Sequence, residues 1–332
     1  MKSGTRILIE EAEQLCCIMS FYLRKISIFI ILGVVLNLVG GYILRTDKRV
    51  LTKKKLYFQD LRMQEFYAQE ENVDILFIGS SRTYQTFIPG IVDSITGKNS
   101  FNLGSSMQTP ITSYFVLKEA YKYCQPEMII MDIALDVMYS DQLFNGGFII
   151  DAMKMSLNKI DFFFKGFDFK EKMELLLPIY RYRGDIDFFY FWLKGNLSEH
   201  YDRKLKYHEK GFVENYIENN EEKEQEYIID DKFLHNKEYL DKIVELGGQN
   251  ETEIIFVYIP YPTYHSIKNE DELSSYLYEI IVEDYEKEFL NYLEIDHDYD
   301  DEFFADYNHF NLEGAIKFSK EIAEWIVVRG EW

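Results

Sequence analysis

Three short segments carry side chains whose types and spacing suit nucleophilic catalysis. Gly79-Ser80-Ser81-Arg82-Thr83 follows an apolar run, and a glycine ahead of serines lets the chain turn sharply and leaves a hydroxyl at the head of a helix. Backbone N–H groups and the dipole at such a helix start stabilise an anion. Asn102-Leu103-Gly104-Ser105-Ser106 again sets a glycine where backbone must approach something closely. Near the C-terminus, Asp306 and His309 stand three apart in the run FADYNHFNLEG. Such a carboxylate can fix the imidazole tautomer and steady its positive charge, leaving the other ring nitrogen for a serine hydroxyl. Each segment also has a plainer use. Gly-Ser-Ser makes ordinary turns and helix caps, and the Asp/Asn-rich run can cap the final helix.

The other titratable clusters point to less. His265 lies in YIPYPTYHS, at the end of an expected strand where substrate would sit. His200, His208 and His235 fall in a polar or irregular region and read as surface residues. Asp296 to Asp301 offers many oxygen ligands but lacks the fixed glycine and bidentate glutamate of a calcium loop, so it reads as a solvated turn. The acidic run 214–231 reads as a solvated loop, with a cation-binding arm as its alternative. Cys16, Cys17 and Cys124 are too few for a disulfide framework, and no CxxC or Cys/His zinc spacing occurs. No metal and no cofactor is expected.

The 332 residues hold 36 Lys and Arg against 57 Asp and Glu, a net charge of −21. A general nucleic-acid binder needs basic groups facing phosphates, so that class is excluded. The imbalance is local: residues 1–55 hold ten basic and four acidic side chains, and the rest of the chain is strongly acidic. With 26 Tyr and 26 Phe, the bulk of the chain is not disordered.

The elements that must position these residues follow from periodicity. Asp74-Ile-Leu-Phe-Ile-Gly79 predicts a buried strand, Phe101 to Gly104 a second, Met128 to Asp132 a third, and Glu253 to Ile259 a fourth, stopped by Pro260 and Pro262. Helical spacing covers 108–123, opened by Thr109-Pro110, and about 233–247, 271–292 and 312–328. Buried strands alternating with amphipathic helices predict a parallel sheet covered on both faces. Reactive groups collect at the carboxyl ends of such strands. Residues 141–212 break the pattern and are unusually aromatic, as a helical insertion or lid would be.

Ile26 to Leu44 is 19 residues without a charge. At about 1.5 Å per residue the helix would span roughly 28 Å, close to the hydrocarbon thickness of a bilayer. Basic flanks at Arg24, Lys25, Arg45, Lys48 and Arg49 suit headgroups, and no small-x-small cleavage site follows, so the segment reads as an anchor. The heavier basic flank lies on its C-terminal side, which leans toward a cytoplasmic C-terminal domain. Met19, before SFYLRK, is an alternative start.

The blocks DILFIGSSRT, NLG and DYNHFNLEGA, in that order, resemble the SGNH/GDSL hydrolase superfamily, over about 72–135 and 250–328. The resemblance implies an α/β, flavodoxin-like three-layer parallel sheet, the SGNH hydrolase fold. It implies a catalytic domain at 73–330 with an aromatic-rich insertion at 140–232. Ahead of it come a cytoplasmic tail (1–25), a transmembrane anchor (26–44) and a linker or juxtamembrane helix (45–72). It makes Ser81 the nucleophile, completes a triad with His309 and Asp306, and makes the backbone N–H groups of Ser81 and Gly104 the oxyanion donors. Ser80 stands where the family has an aspartate, and is the alternative nucleophile. The family's third block, Gly-x-Asn, is absent, since the third strand ends Met131-Asp132-Ile133-Ala134-Leu135-Asp136. Arg82, Gln108 or Asn145 could stand in for its amide, and Ser80, Arg82, Gln108 and His265 are candidate substrate contacts.

With its anchor, Gly-Ser-Ser block and large insertion, the chain is similar to the membrane-bound branch. That branch includes the D-alanyl transfer protein of the teichoic-acid pathway and the alginate-acetylation proteins. The resemblance implies an extracytoplasmic domain, against the charge count, beside a multi-span membrane acyltransferase. The expected function is acyl transfer or ester hydrolysis on an envelope polysaccharide or related polymer, through an acyl-serine. The alternative is a catalytically weak or inactive scaffold of this fold that binds polymer or the acyltransferase.

Overall fold

The computed structural model describes residues 2–46, 56–140, 146–177, 205–216, 221–292, 294–295 and 297–330. Asn145 and His200 lie outside the described residues. The chain divides into two compact units, Met1–Leu51 with Met173–Glu199, and Thr52–Lys172 with His200–Trp332.

The smaller unit is built on helix α1 (Lys2–Thr46). Within it Ile18–Gly40 has a mean hydropathy of 2.0 and none of it is buried, so it is long and apolar enough to cross a membrane. This window starts upstream of the charge-free run at Ile26 and takes in Arg24 and Lys25, the latter 4.3 Å from the Phe21 ring centroid.

In the larger unit the strands are β1 (Ile75–Ile78), β2 (Ser100–Asn102), β3 (Met128–Asp132), β4 (Leu205–Tyr207), β5 (Val213–Asn215), β6 (Lys223–Gln225), β7 (Glu253–Tyr258), β8 (His265–Ile267), β9 (Glu288–Asn291), β10 (Phe304–Asp306) and β11 (His309–Phe310). Five of them form one parallel sheet in the order β2-β1-β3-β7-β9. By sequence rank that is 2-1-3-4-5, the flavodoxin-like order. The helices are α2 (Leu56–Tyr67), α3 (Ser81–Thr86), α4 (Pro89–Thr96), α5 (Pro110–Ala120), α6 (Leu135–Met138), α7 (Gly146–Ala152), α8 (Leu157–Lys165), α9 (Phe169–Leu176, which runs into the smaller unit), α10 (Asp231–Gln249), α11 (Glu270–Tyr278) and α12 (Leu312–Val328).

Burial on both faces explains the continuous apolar strands. Ile75, Phe77, Met128, Ile130, Ile255 and Val257 share a core with Val92 of α4 and with Phe318, Ile322 and Ile326, one stripe of α12. The alternate residues Leu76, Ile78, Ile129, Met131, Ile254 and Phe256 point to the opposite face, as a strand's period of two requires. There α5 and α10 pack together. The fold is therefore an α/β sandwich of three layers.

Two elements differ from expectation. Residues 271–292 are not one helix: α11 ends at Tyr278, a π-helical turn spans Glu279–Asp284, Glu286 takes φ +52°, and β9 follows as a fifth strand. Glu288-Phe-Leu-Asn lacks the β-branched run of its neighbours and, at the sheet edge, is mostly only half-buried, so its pattern merges with the helix before it. The insertion is helical in α7, α8 and α9 but also supplies the antiparallel β4–β5 pair and β6, which lies parallel to β8.

Candidate active site

The turn after β1 is dictated by its residues. Gly79 takes φ +147°, a region that L side chains rarely enter. A Cβ there would sit 2.2 Å from Thr83 Oγ1 and 3.0 Å from Asp132 Cβ, so both conformation and space demand glycine. Ser80 caps α3, accepting the Arg82 N–H on its Oγ (3.2 Å) and donating to Asp132 Oδ2 (3.4 Å). Ser81 takes the first helical position, where its own N–H has no intrahelical partner. Arg82 is fully buried. Its guanidinium donates to the Ile259 and Pro260 carbonyls just past β7 and lies 3.9 Å from the Tyr261 ring centroid, pinning α3 to that strand end. Strand order reverses between β1 and β3, so Ser81 stands at the switch point of the sheet, where open α/β proteins bind ligands.

The C-terminal hairpin brings the other two groups. Asp306 and His309 are cross-strand neighbours of β10 and β11. His309 Nδ1 lies 2.8 and 3.0 Å from the two Asp306 oxygens, and Nε2 lies 2.8 Å from Ser81 Oγ. With Nδ1–H donating to the carboxylate, Nε2 is left to accept the Ser81 O–H. Asp306 Oδ1 also accepts the Asn308 N–H (2.9 Å), and Oδ2 the Asn215 amide (3.4 Å). Burial works against the Asp306 charge, but His309 and these donors outweigh it and hold the carboxyl below its usual value. Ser81 and His309, 228 residues apart in sequence, thus sit in one hydrogen-bonded chain.

The oxyanion side is arranged differently. The Gly104 N–H donates to Asn102 Oδ1 (3.0 Å), while Asn102 Nδ2 donates to the Thr83 and Phe87 carbonyls (2.9 and 3.0 Å). Asn102 therefore staples β2 to α3, and in doing so engages the amide expected as the second oxyanion donor. Close approach at Gly104 is real, since a Cβ would meet Thr83 Cβ at 2.9 Å.

Of the candidate contacts, Ser80 and Arg82 hold the turn from beneath, and buried Gln108 donates to Ser113 Oγ (3.2 Å). His265 is stacked on Tyr261 (4.1 Å between centroids) and near-parallel to Tyr307 (5.8 Å). Burial, helped by the Arg82 and Lys223 charges, pushes its imidazole down to about 4, so it is neutral at pH 7. His208 pairs with Glu214 (2.7 Å), and His235 is exposed near Glu238. Among the described residues no three His, Cys, Asp or Glu side chains are grouped to hold a metal.

Sequence reasoning misses Asn215 and Asp136. Asn215 reaches Asp306 from β5, 91 residues upstream, and nothing local marks it. The carboxyl of Asp136, at the start of α6, is pushed up by burial, with the Arg82 and His309 charges opposing that.

No family model matches the sequence, and no curated protein matches it. Among solved structures, the chain is similar to a protein provisionally named an acylhydrolase from Bacteroides fragilis NCTC 9343, at 11% identity and a TM-score of 0.40, covering 81% of this chain and 94% of that one. It is also similar to a protein provisionally named a platelet activating factor from Streptococcus pneumonia, at 13% identity and a TM-score of 0.43, covering 89% and 99%. Strand order and side chains define this chain as an α/β protein with a Ser-His-Asp array at its switch point.

Proposed function

We propose that this protein is a membrane-anchored SGNH-like serine acyltransferase or esterase, acting on O-acyl groups of a cell-envelope polysaccharide or related polymer. The observation that carries this reading is the hydrogen-bonded chain from Ser81 through His309 to Asp306. Ser81 Oγ attacks an ester carbonyl as His309 Nε2 takes its proton, and ionised Asp306 steadies the imidazolium. The Ser81 N–H, at the start of α3, meets the charge on the former carbonyl oxygen. His309 then protonates the leaving alcohol, and the acyl group on Ser81 passes to a sugar hydroxyl or to water, with His309 again as base. The polymer, the extracytoplasmic side and a multi-span membrane acyltransferase as partner are supported by the resemblance to the membrane-bound SGNH branch and by the apolar window of α1. The same triad performs transfer or hydrolysis, so transfer rests on that resemblance alone.

The test is to treat full-length protein in detergent with a serine-directed fluorophosphonate and locate the adduct by peptide mass spectrometry. The expected adduct is on Ser81 and is lost in His309→Ala. An adduct on Ser80, or none from folded protein, refutes the mechanism.

A second reading, a weak or inactive scaffold, is favoured by the engaged Gly104 amide and by a third strand ending in aspartates rather than asparagine. An oxyanion donor lost without replacement costs about 10²–10³ in rate. Under this reading the membrane partner co-purifies equally with wild type and Ser81→Ala, and neither takes the label.

A further inference from the structure

The β4–β5 hairpin belongs to the insertion, yet its tip is clamped to the body of the larger unit. The chain turns there through two left-handed residues, Lys210 at φ +56° and Gly211 at φ +91°. Arg62 of α2, only 1% exposed, donates through Nε and Nη2 to the Gly211 carbonyl (3.2 and 2.8 Å). Its Nη1 donates to Gln59 Oε1 (2.7 Å), and the guanidinium lies 4.9 Å from the Tyr84 ring centroid of α3. Taking such a charge out of water is costly, so a buried guanidinium that commits two bonds to one carbonyl fixes where that carbonyl sits. Glu65, three residues on and thus on the same side of α2, accepts the Lys210 N–H on Oε1 (2.7 Å) and the Tyr207 O–H on Oε2 (2.6 Å). Lys210 Nζ pairs with Asp93 of α4 and donates to Asn99 Oδ1 (2.7 Å). A Cβ on Gly211 would sit 2.1 Å from the Asn102 carbonyl oxygen, so the tip backbone packs directly on the end of β2. Phe212 then joins the core that holds Phe318 of α12, and Val213 is fully buried.

What this clamp delivers is Asn215, the last residue of β5, at 5% exposure. Its Nδ2 donates to Asp306 Oδ2 (3.4 Å), the oxygen that also lies 3.0 Å from His309 Nδ1. The Asn308 N–H holds the other oxygen, Oδ1, at 2.9 Å. Rotation of an aspartate carboxylate about χ2 is soft, so a single donor leaves its plane loosely set. One donor on each oxygen, from two separate elements, fixes that plane and keeps both oxygens turned to Nδ1.

We propose that Asn215 is a positioning residue for Asp306, and that the β4–β5 hairpin is the arm that holds it there, locked by Arg62 and Glu65 of α2. The inference rests on the Ser81-His309-Asp306 reading and deepens it. This part of the insertion supports the array rather than closing over it. When His309 takes the Ser81 proton, the carboxylate must already face Nδ1. Without Asn215 it is free to turn, so turnover falls while substrate binding does not.

The experiment uses full-length protein in detergent, purified as the folded fraction by gel filtration, with a p-nitrophenyl ester as substrate. Asn215→Leu, similar in size but without a donor, is expected to lower kcat by about 10-fold or more with KM unchanged. In an Asp306→Ala background the same change is expected to cost less than about twofold, because a residue that acts through Asp306 has nothing left to hold. Equal losses in the two backgrounds would mean that Asn215 only supports the fold, and would overturn the proposal. An unchanged kcat, or a rise in KM alone, would overturn it too. If the leucine variant does not fold, Asn215→Ser, whose small polar side chain is too short to reach Asp306 Oδ2, is read in the same way. A wild type that shows neither ester hydrolysis nor a fluorophosphonate adduct on Ser81 would bring down the triad, and this inference with it. A labelled Ser81 with a kcat indifferent to residue 215 would remove this inference alone.

Discussion

Asp306 and Asp132 both end strands beside Ser81, and both are buried, at 8% and 1% exposure. On the hairpin, Asp306 is ringed by donors: the His309 ring, the Asn308 amide and the Asn215 side chain. At the end of β3, Asp132 meets Ser80 Oγ only at 3.4 Å, and its Oδ1 has no hydrogen-bond partner. Asp306 is held below its usual value, whereas burial pushes Asp132 up to about 6 although Arg82 opposes this. Asp132 lies deeper and Asp306 receives stronger donors, and the two differences together hold one carboxyl down and push the other up. The hairpin carries the proposed chemistry, and the β3 end meets the turn that bears Ser81.

Under the proposed function, the largest expected effect comes from the β10–β11 hairpin and Ser81. Ser81→Ala or His309→Ala should lower kcat/KM on an activated ester by about 10⁴–10⁶-fold. Asp306→Asn should lower it by about 10⁴-fold while the protein stays folded. Asp132→Asn should cost less than about 10-fold, because Asp132 acts through Ser80 and touches no reacting atom. Equal losses at the two aspartates would break the comparison. Steady-state kinetics with a p-nitrophenyl ester decides it.

Next in size is the turn itself. Gly79→Ala forces a side chain into a positive φ and onto Thr83, and should cost about 1–3 kcal/mol or more. Thermal unfolding should show a clear fall in Tm, together with lost fluorophosphonate labelling. An unchanged Tm would mean that the turn is less constrained than its geometry implies.

The two aspartates should also give pH dependences of opposite sign. Asp306, depressed in the fold, contributes stability that is present above its unfolded value near 4 and lost as pH falls through its folded value. Asp132, raised to about 6, makes the fold less stable as pH climbs from about 4 to about 6. Denaturant unfolding at pH 4 and pH 7 should therefore show Asp132→Asn gaining on wild type with rising pH, by on the order of 2 kcal/mol. Asp306→Asn should trail wild type by a near-constant amount over that range, the gap closing only as pH falls below about 4. An Asp132→Asn curve parallel to wild type would remove the distinction.

The smallest effect concerns His265. Its ring is neutral above about pH 5 and its nitrogens have no hydrogen-bond partners, so His265→Phe should leave the activity profile between about pH 5 and pH 8 unchanged in shape. A lost inflection would show that His265 titrates in the working enzyme.

Much of this was legible before folding. Met128 to Asp132 and residues 312–328 are read at their true bounds, and β1 and β7 to within a residue or so, because a strand buried on both faces writes its length as an apolar run and an amphipathic helix writes its stripe. β9 was not legible, since a short edge strand with glutamate at its head has no such run. Gly104 was legible as a close approach, but its amide's engagement was not, because that depends on the rotamer with which Asn102 turns back.

The amino-acid order by itself determined what depends on neighbours along the chain. This covers the lengths of the buried strands, the glycine that a φ of +147° demands, the pairing of Asp306 with His309 three residues on, and an apolar window long enough for a bilayer. Tertiary structure decided what depends on long closures. It set His309 2.8 Å from a serine 228 residues away and brought Asn215 to Asp306 from the insertion. It also turned Leu157, Phe164 and Phe169 outward. Periodicity tells a helix which face is apolar; only the packing of the rest of the chain tells that face whether it meets protein or solvent.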